Sequence, residues 1–196
     1  MNLDELIYVR RGQLDKDFCN HCIEKFENDD RKSPGHTLKG LSLSTKISTD
    51  LYITGIDDWE EEDEVFFNSL NNNLESYKEF IGDSFNPLSI TTEDRGYQIQ
   101  RTKPREFYKW HHDGHTDRIL TFIWYLNDIH EEGYTEFDTG YKVQPKTGTM
   151  LIFPALWPWV HRGVSPISET KYICTGWIYT KYDQNDFMLP ILDNPM

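Results

Sequence analysis

The feature that most constrains the fold is a change in hydrophobic period near residue 88. Before it, apolar residues recur at helical spacing, in a segment that Asp15 can cap and in a longer one after the acidic run 57–64. After it, short alternating or apolar segments are separated by turn residues. We therefore predict an α+β, mainly β fold: a jelly-roll core with N-terminal helices packed on one sheet.

The same pattern predicts the order of the elements. We expect one domain over residues 1–196, with a helical part at about 1–87 and a jelly-roll core at about 88–182. The nearly continuous apolar run at 119–126 indicates a strand buried on both faces. We expect an edge strand at 48–53, a loop at 31–46 and a helix stop at Gly82.

Charge and composition exclude several classes of partner. The chain has 33 acidic and 20 basic residues, a net charge of −13, which disfavours nucleic acid and anionic membranes. No apolar stretch approaches the roughly 20 residues of a membrane span, and the first residues lack a signal-peptide pattern. Three cysteines, two of them in a predicted helix, fit a reducing compartment. We therefore expect a soluble, cytoplasmic protein with no nucleic-acid or membrane partner.

The clearest chemical signal is the pair His111 and Asp113. Residues two apart on a strand share a face, so an imidazole and a carboxylate leave the strand side by side. Together they supply two thirds of the two-histidine, one-carboxylate set that suits non-heme Fe(II). The third ligand is expected from His161. A second His-x-Asp pair, ending at Asp117, leaves an alternative register open.

A lysine follows the distal histidine by ten positions. By period two, Lys171 shares a strand face with Ile173, Thr175 and Trp177. If that face is interior, Lys171 needs an anionic partner, because an unpaired buried charge is costly. The alternative is an exposed lysine on an edge strand.

An ordered set of short motifs runs through residues 97–179. They are Tyr108-x-x-His111-x-Asp113, Tyr125-Leu126-Asn127, Gly133-x-Thr135-Glu136-Phe137, Pro145-x-x-Gly148-x-x-Leu151-Ile152-Phe153-Pro154, His161-x-Gly163-Val164-x-Pro166 and Lys171-Tyr172-x-x-Thr175-Gly176-Trp177. In order and spacing this set resembles the 2-oxoglutarate- and Fe(II)-dependent oxygenases, specifically the prolyl 4-hydroxylase-like branch. The N-terminal helices match that family only in outline.

The resemblance implies an oxidoreductase with a double-stranded β-helix fold. It implies Fe(II) bound by His111, Asp113 and His161, with 2-oxoglutarate as cosubstrate, O2 as oxidant and ascorbate as an auxiliary reductant. By the same resemblance, the far carboxylate of 2-oxoglutarate binds Lys171, helped by Tyr125 and Thr175, and Tyr108 and Trp177 face the substrate.

One position departs from the family pattern. The family often has a tyrosine nine or ten residues before its first histidine ligand, where this chain has Thr102 and Arg101. Gln98, Gln100 or Tyr97 could take over the contact.

The substrate stays open between three interpretations. The first is a prolyl residue in a peptide or protein, the second a free amino acid or other small metabolite, and the third a catalytically silent jelly-roll binding module. Residues 102–107 and 155–160 are expected to form the substrate rim, and four tryptophans to lie near the mouth: Trp110, Trp157, Trp159 and Trp177. A basic stretch at 101–109 either flanks an acidic substrate or is a solvated loop.

Overall fold

A computed structural model describes residues 2–37, 39–82, 91–115 and 117–181. The helices are α1 (Lys16–Asn28) and α2 (Glu60–Ile81), with 3-10 turns at Leu3–Leu6 and Asp57–Trp59. The strands, in chain order, are β1 (Tyr8–Arg10), β2 (Ser33–Pro34), β3 (Thr49–Tyr52), β4 (Thr92–Asp94), β5 (Gln98–Thr102), β6 (Tyr108–His111), β7 (Arg118–Tyr125), β8 (Thr135–Phe137), β9 (Lys142–Val143), β10 (Thr149–Pro154), β11 (His161–Gly163) and β12 (Lys171–Thr180).

The strands form two antiparallel sheets. The larger has the order β1-β10-β7-β12-β5-β3-β2, with β4 paired to the end of β12, and the smaller has the order β6-β11-β8-β9. Phe137 and Val143 of the smaller sheet share one apolar cluster with Ile123, Tyr125 and other residues of the larger sheet. Two sheets that pack face to face in this way form the jelly roll, and the predicted fold class is confirmed.

The N-terminal helices cover the other face of the larger sheet. Asp15 caps α1 by accepting a hydrogen bond from the Asp17 amide at 2.8 Å. Gly82 ends α2 in the left-handed region, with φ of 69°. Phe26 and Phe66 are fully buried against the outer face of the sheet, as the sequence predicted. This packing leaves the face between the sheets for the site.

Strand β7 lies inside the larger sheet, between β10 and β12. Its residues alternate between two apolar cores: Phe122 and Trp124 face the helices, whereas Ile123 and Tyr125 face the smaller sheet. Burying each such side chain stabilises the fold by about 1.5–3 kcal/mol. The prediction of a strand buried on both faces is confirmed.

Two local predictions, the edge strand at 48–53 and the loop at 31–46, need correction. The strand predicted at an edge, β3, lies one place inside it, because the two-residue β2 pairs outside it within the region predicted as loop. None of the described helices combines the length and apolar character needed to cross a membrane.

Candidate metal centre

Three side chains of metal-binding type meet where the smaller sheet ends. His111 closes β6, His161 opens β11, and the two are register partners. The Nε2 atom of His111 lies 3.4 Å from Oδ1 of Asp113, and Nε2 of His161 lies 3.6 Å from Oδ2. One ligand atom from each residue lies within 4.8 Å of the others. Asp113 comes just after β6 rather than on it, yet its carboxylate still stands beside His111.

The backbone orients both imidazoles in the same way. Nδ1 of His111 lies 2.7 Å from the Lys109 carbonyl oxygen, and Nδ1 of His161 lies 3.2 Å from that of Trp159. A carbonyl can only accept, so each ring donates its Nδ1 proton and turns Nε2 toward the carboxylate. Supporting contacts of this kind fix the tautomer of metal-bound histidines.

Asp113 and His161 are both buried, 8% and 4% exposed. Burial and the nearby charge of His111 lower the pKa of His161 to about 4, so this imidazole is neutral at pH 7. Burial alone would raise the pKa of Asp113, but the interactions with His111 and His161 outweigh burial and hold that pKa well below its usual range. Thr121 Oγ1 of β7 also donates to Asp113 Oδ2 at 2.8 Å. A carboxylate with two imidazoles that face it fits Fe(II) and leaves coordination positions open.

A narrow cavity of about 70 Å³, partly open to solvent, is lined by the two histidines. The β12 residues predicted to share one face, Lys171, Ile173, Thr175 and Trp177, all line it. This confirms that Lys171 faces the interior.

Lys171 is 4% exposed, and its Nζ donates to the Gly133 carbonyl oxygen at 2.9 Å. Within the described residues no carboxylate pairs with it, and burial lowers its pKa to about 8. A lysine ammonium carries three N–H donors, so most of its hydrogen-bonding capacity is unused. A buried cation without a protein counter-ion is suited to an anionic ligand.

The two hydroxyls expected beside Lys171 already have acceptors. Thr175 Oγ1 donates to the Phe122 carbonyl oxygen at 2.7 Å, and Tyr125 OH donates to Thr135 Oγ1 at 2.7 Å. Thr135 lines the cavity and, having accepted from Tyr125, keeps its own proton for a ligand. Thr135 was quoted in a motif of the sequence without a role, because a single threonine gives no signal of its orientation.

The aromatic residues divide into cavity and core. The Tyr108 ring stacks on the His111 ring, with centroids 3.5 Å apart. Trp177 lines the cavity, and the Arg118 guanidinium lies 3.9 Å from its ring centroid. The prediction that Trp159 lies near the mouth is wrong. Its side chain is 8% exposed and donates to the Leu3 carbonyl oxygen, so Trp159 belongs to the core.

The alternative register does not assemble a site in the described residues. Asp117 binds Arg95 at 2.7 Å, and the one described group that could hold a metal is the cluster of His111, Asp113 and His161.

Of the three residues that could replace the absent tyrosine, Gln100 lines the cavity, Gln98 lines a neighbouring pocket, and Tyr97 packs in the helix-side core. Thr102, at the family position itself, also lines the cavity. Arg101 points away to Glu27 at 2.8 Å, and Lys103 and Lys109 are exposed, so the basic stretch is mainly solvated.

The fold and the cluster together describe a jelly-roll protein with a candidate metal site beside a cavity that contains a buried lysine. Residues 97–179 match the family described as the 2OG-Fe(II) oxygenase superfamily, over the strands that carry the cluster and Lys171. This part of the protein is therefore similar to the 2-oxoglutarate- and Fe(II)-dependent oxygenases. No curated protein matches the chain.

Solved structures of prolyl hydroxylases share the fold. A viral collagen prolyl hydroxylase from Paramecium bursaria Chlorella virus 1, in complex with 2OG, is 21% identical, with a TM-score of 0.69, covering 90% of this chain and 97% of that one. A Pseudomonas putida prolyl-4-hydroxylase is 18% identical, with a TM-score of 0.67 and coverages of 91% and 97%. A Trichoplax adhaerens prolyl hydroxylase in complex with a hypoxia inducible factor peptide fragment is 15% identical, with a TM-score of 0.72 and coverages of 90% and 84%. At these identities the similarity shows a common fold.

Proposed function

We propose that this protein hydroxylates a prolyl residue in a peptide or protein, using Fe(II) held by His111, Asp113 and His161. One observation carries the proposal. The cluster opens onto a cavity that contains Lys171, a buried cation with no described carboxylate partner. This arrangement provides a metal site and an anchor for a carboxylate in one space, as a reaction that consumes 2-oxoglutarate requires.

Each residue has a defined task in this proposal. The two Nε2 atoms and the Asp113 carboxylate hold the ion, while Thr121 fixes the carboxylate. Lys171 neutralises the far carboxylate of 2-oxoglutarate, and Tyr125 acts through Thr135, whose proton faces the ligand. When bound, Fe(II) with 2-oxoglutarate and O2 supplies the oxidation that converts a substrate C–H into C–OH, with release of succinate and CO2. Ascorbate is proposed only as an auxiliary reductant.

The substrate assignment is supported by the surroundings of Trp177 and Tyr108. A prolyl ring can pack on either aromatic face, and Arg118, held over Trp177, can donate to a peptide carbonyl. An outer groove shares Tyr108 and His111 with the cavity and continues along loop residues such as Thr37 and Ser42. A groove that passes the metal ligands favours an extended chain. The peptide and the collagen named for the similar structures agree with this choice.

The test combines succinate release with mass spectrometry. Fe(II)-loaded protein is incubated with 2-oxoglutarate, O2, ascorbate and either proline-containing peptides or free amino acids. We expect peptides to stimulate succinate release and to gain one oxygen on proline. Stimulation by a free amino acid, with the peptides inert, would instead support a metabolite hydroxylase. Absence of 2-oxoglutarate turnover with every substrate would favour the silent binding module.

A further inference from the structure

The cavity contains a second buried ammonium group. Lys46 lies in the loop before β3, is 3% exposed, and lines the same cavity as Lys171. Its Nζ is 2.7 Å from Asp50 Oδ2 and 5.4 Å from the centre of the Tyr108 ring. Its backbone forms a bridge to Tyr108, so this residue spans the gap between the larger and the smaller sheet.

Asp50 holds this ammonium on the cavity side. In β3 it is the register partner of Gln100, which in turn is the partner of Ile173 in β12. Directly opposite residues of antiparallel strands share a face, and Gln100 and Ile173 both line the cavity. Asp50 Oδ1 also accepts from Ser48 Oγ at 2.7 Å, so the carboxylate is fixed on both oxygens.

The backbone at Gly35 closes the pair from outside. A Cβ atom added to Gly35 would lie 2.1 Å from Ser48 Oγ, 2.9 Å from Lys46 Cε and 3.0 Å from Asp50 Oδ2. No side chain fits there without displacing the pair. Lys46 therefore cannot reach solvent on that side by a simple rotation, although long lysine side chains usually do so.

The hydrogen bonds of Lys46 leave it free to bind a ligand. Within the described residues its Nζ donates only to Asp50, and an ammonium has three donors. Two donors thus remain in a cavity that also contains His111, His161 and Lys171. A purely structural ion pair would be expected to satisfy more of its donors within the protein, because unmade buried hydrogen bonds are costly.

From this geometry we infer that Lys46 is a second anchoring residue for the dicarboxylate cosubstrate, held in position by Asp50 and Ser48. The inference rests on the proposed function, since it assumes that 2-oxoglutarate occupies the cavity.

The test measures 2-oxoglutarate binding by calorimetry on Fe(II)-loaded protein without O2, and Fe(II) affinity on the same preparations. Lys46→Met should weaken 2-oxoglutarate binding by about tenfold or more, because a charge-assisted contact is lost. Lys46→Arg, which keeps the cation, should recover part of the loss. Fe(II) affinity should stay unchanged, and Lys103→Met, at an exposed lysine, should behave like wild type.

A paired variant protects the test against misfolding. Lys46→Met with Asp50→Asn removes both charges, so neither is left buried alone. If the folded single and paired variants bind 2-oxoglutarate as wild type does, Lys46 has no anchoring role and the proposed function stands. Equal loss of Fe(II) and 2-oxoglutarate affinity would also overturn the role, because it would indicate a structural effect. Failure of the wild-type protein to bind 2-oxoglutarate would refute the proposed function itself.

Discussion

Replacement of Lys171 by methionine should make the ligand-free protein more stable while it damages cosubstrate binding. Burial holds the pKa of Lys171 near 8, against an ordinary value of 10.5. At pH 7 this difference costs the folded state about 3 kcal/mol, at about 1.4 kcal/mol per tenfold change in the protonation equilibrium. The variant also loses the hydrogen bond to the Gly133 carbonyl, which reduces its gain in stability by about 1 kcal/mol. The variant should therefore gain about 2 kcal/mol at pH 7.

The sign of the pH dependence follows from the depressed pKa. Between about pH 8 and 10.5 the unfolded chain binds more protons at Lys171 than the folded protein, so wild-type stability rises with pH in this window. By pH 9.5 the penalty falls to about 1.5 kcal/mol, and the advantage of the variant should nearly vanish. Urea unfolding of metal-free wild type and variant at pH 7 and 9.5 measures both quantities, with Lys103→Met as the exposed control.

The second half of the prediction concerns the ligand. The variant should bind 2-oxoglutarate more weakly by well over tenfold, because truncation of a buried charge-assisted contact typically costs about 2–5 kcal/mol. A variant that is less stable than wild type by the same amount at both pH values would refute the reasoning about an unpaired buried charge. Unchanged 2-oxoglutarate affinity would place the carboxylate elsewhere.

Three further outcomes are expected. Asp113→Asn removes a metal ligand. It should therefore reduce Fe(II) affinity, measured by metal titration, by more than the roughly 10–100-fold that loss of a residue supporting a ligand costs. Asp117→Asn should leave Fe(II) affinity unchanged. Thr121→Val should weaken Fe(II) binding by about tenfold, since the carboxylate loses its donor, while Thr149→Val, at a buried hydroxyl outside the cluster, should not. Binding of 2-oxoglutarate near pH 9 should take up a proton, seen as a buffer-dependent heat, because the paired ligand raises the pKa of Lys171 from about 8.

Elements with a strong local signal were predictable from sequence. The Asp15 cap, the Gly82 stop and the buried strand at Arg118–Tyr125 depend on neighbouring residues and hydrophobic period, and all three are found. Lys171 and Thr175 share a face because side chains alternate along a strand and β12 is continuous over both residues. Their relative orientation therefore follows from the sequence spacing alone.

What could not be predicted depends on contacts distant in sequence. Lys46 fell in a polar stretch read as a loop, and nothing local shows that β3 would carry Asp50 to the inner face beside it. Trp159 was placed at the mouth together with three other tryptophans, but its indole N–H donates to the Leu3 carbonyl oxygen, 156 positions earlier. Thr121 and Asp113 likewise meet only through packing between the sheets, because Thr121 lies in the larger sheet and Asp113 follows a strand of the smaller one.

The buried charges explain how a protein with a net charge of −13 can bind a dianion. On the cavity side of the larger sheet, the buried charged side chains among the described residues are two lysines, Lys46 and Lys171, and two aspartates, Asp50 and Asp113. The charges of these four side chains cancel. Binding of a divalent cation alone would leave the site with two uncompensated positive charges, and binding of 2-oxoglutarate alone would leave it with two uncompensated negative charges. With both bound the site is neutral again, and neither group carries the full cost of an uncompensated buried charge. The acidic surface lies outside this space, and much of its effect is screened over a distance of about 8 Å at physiological salt.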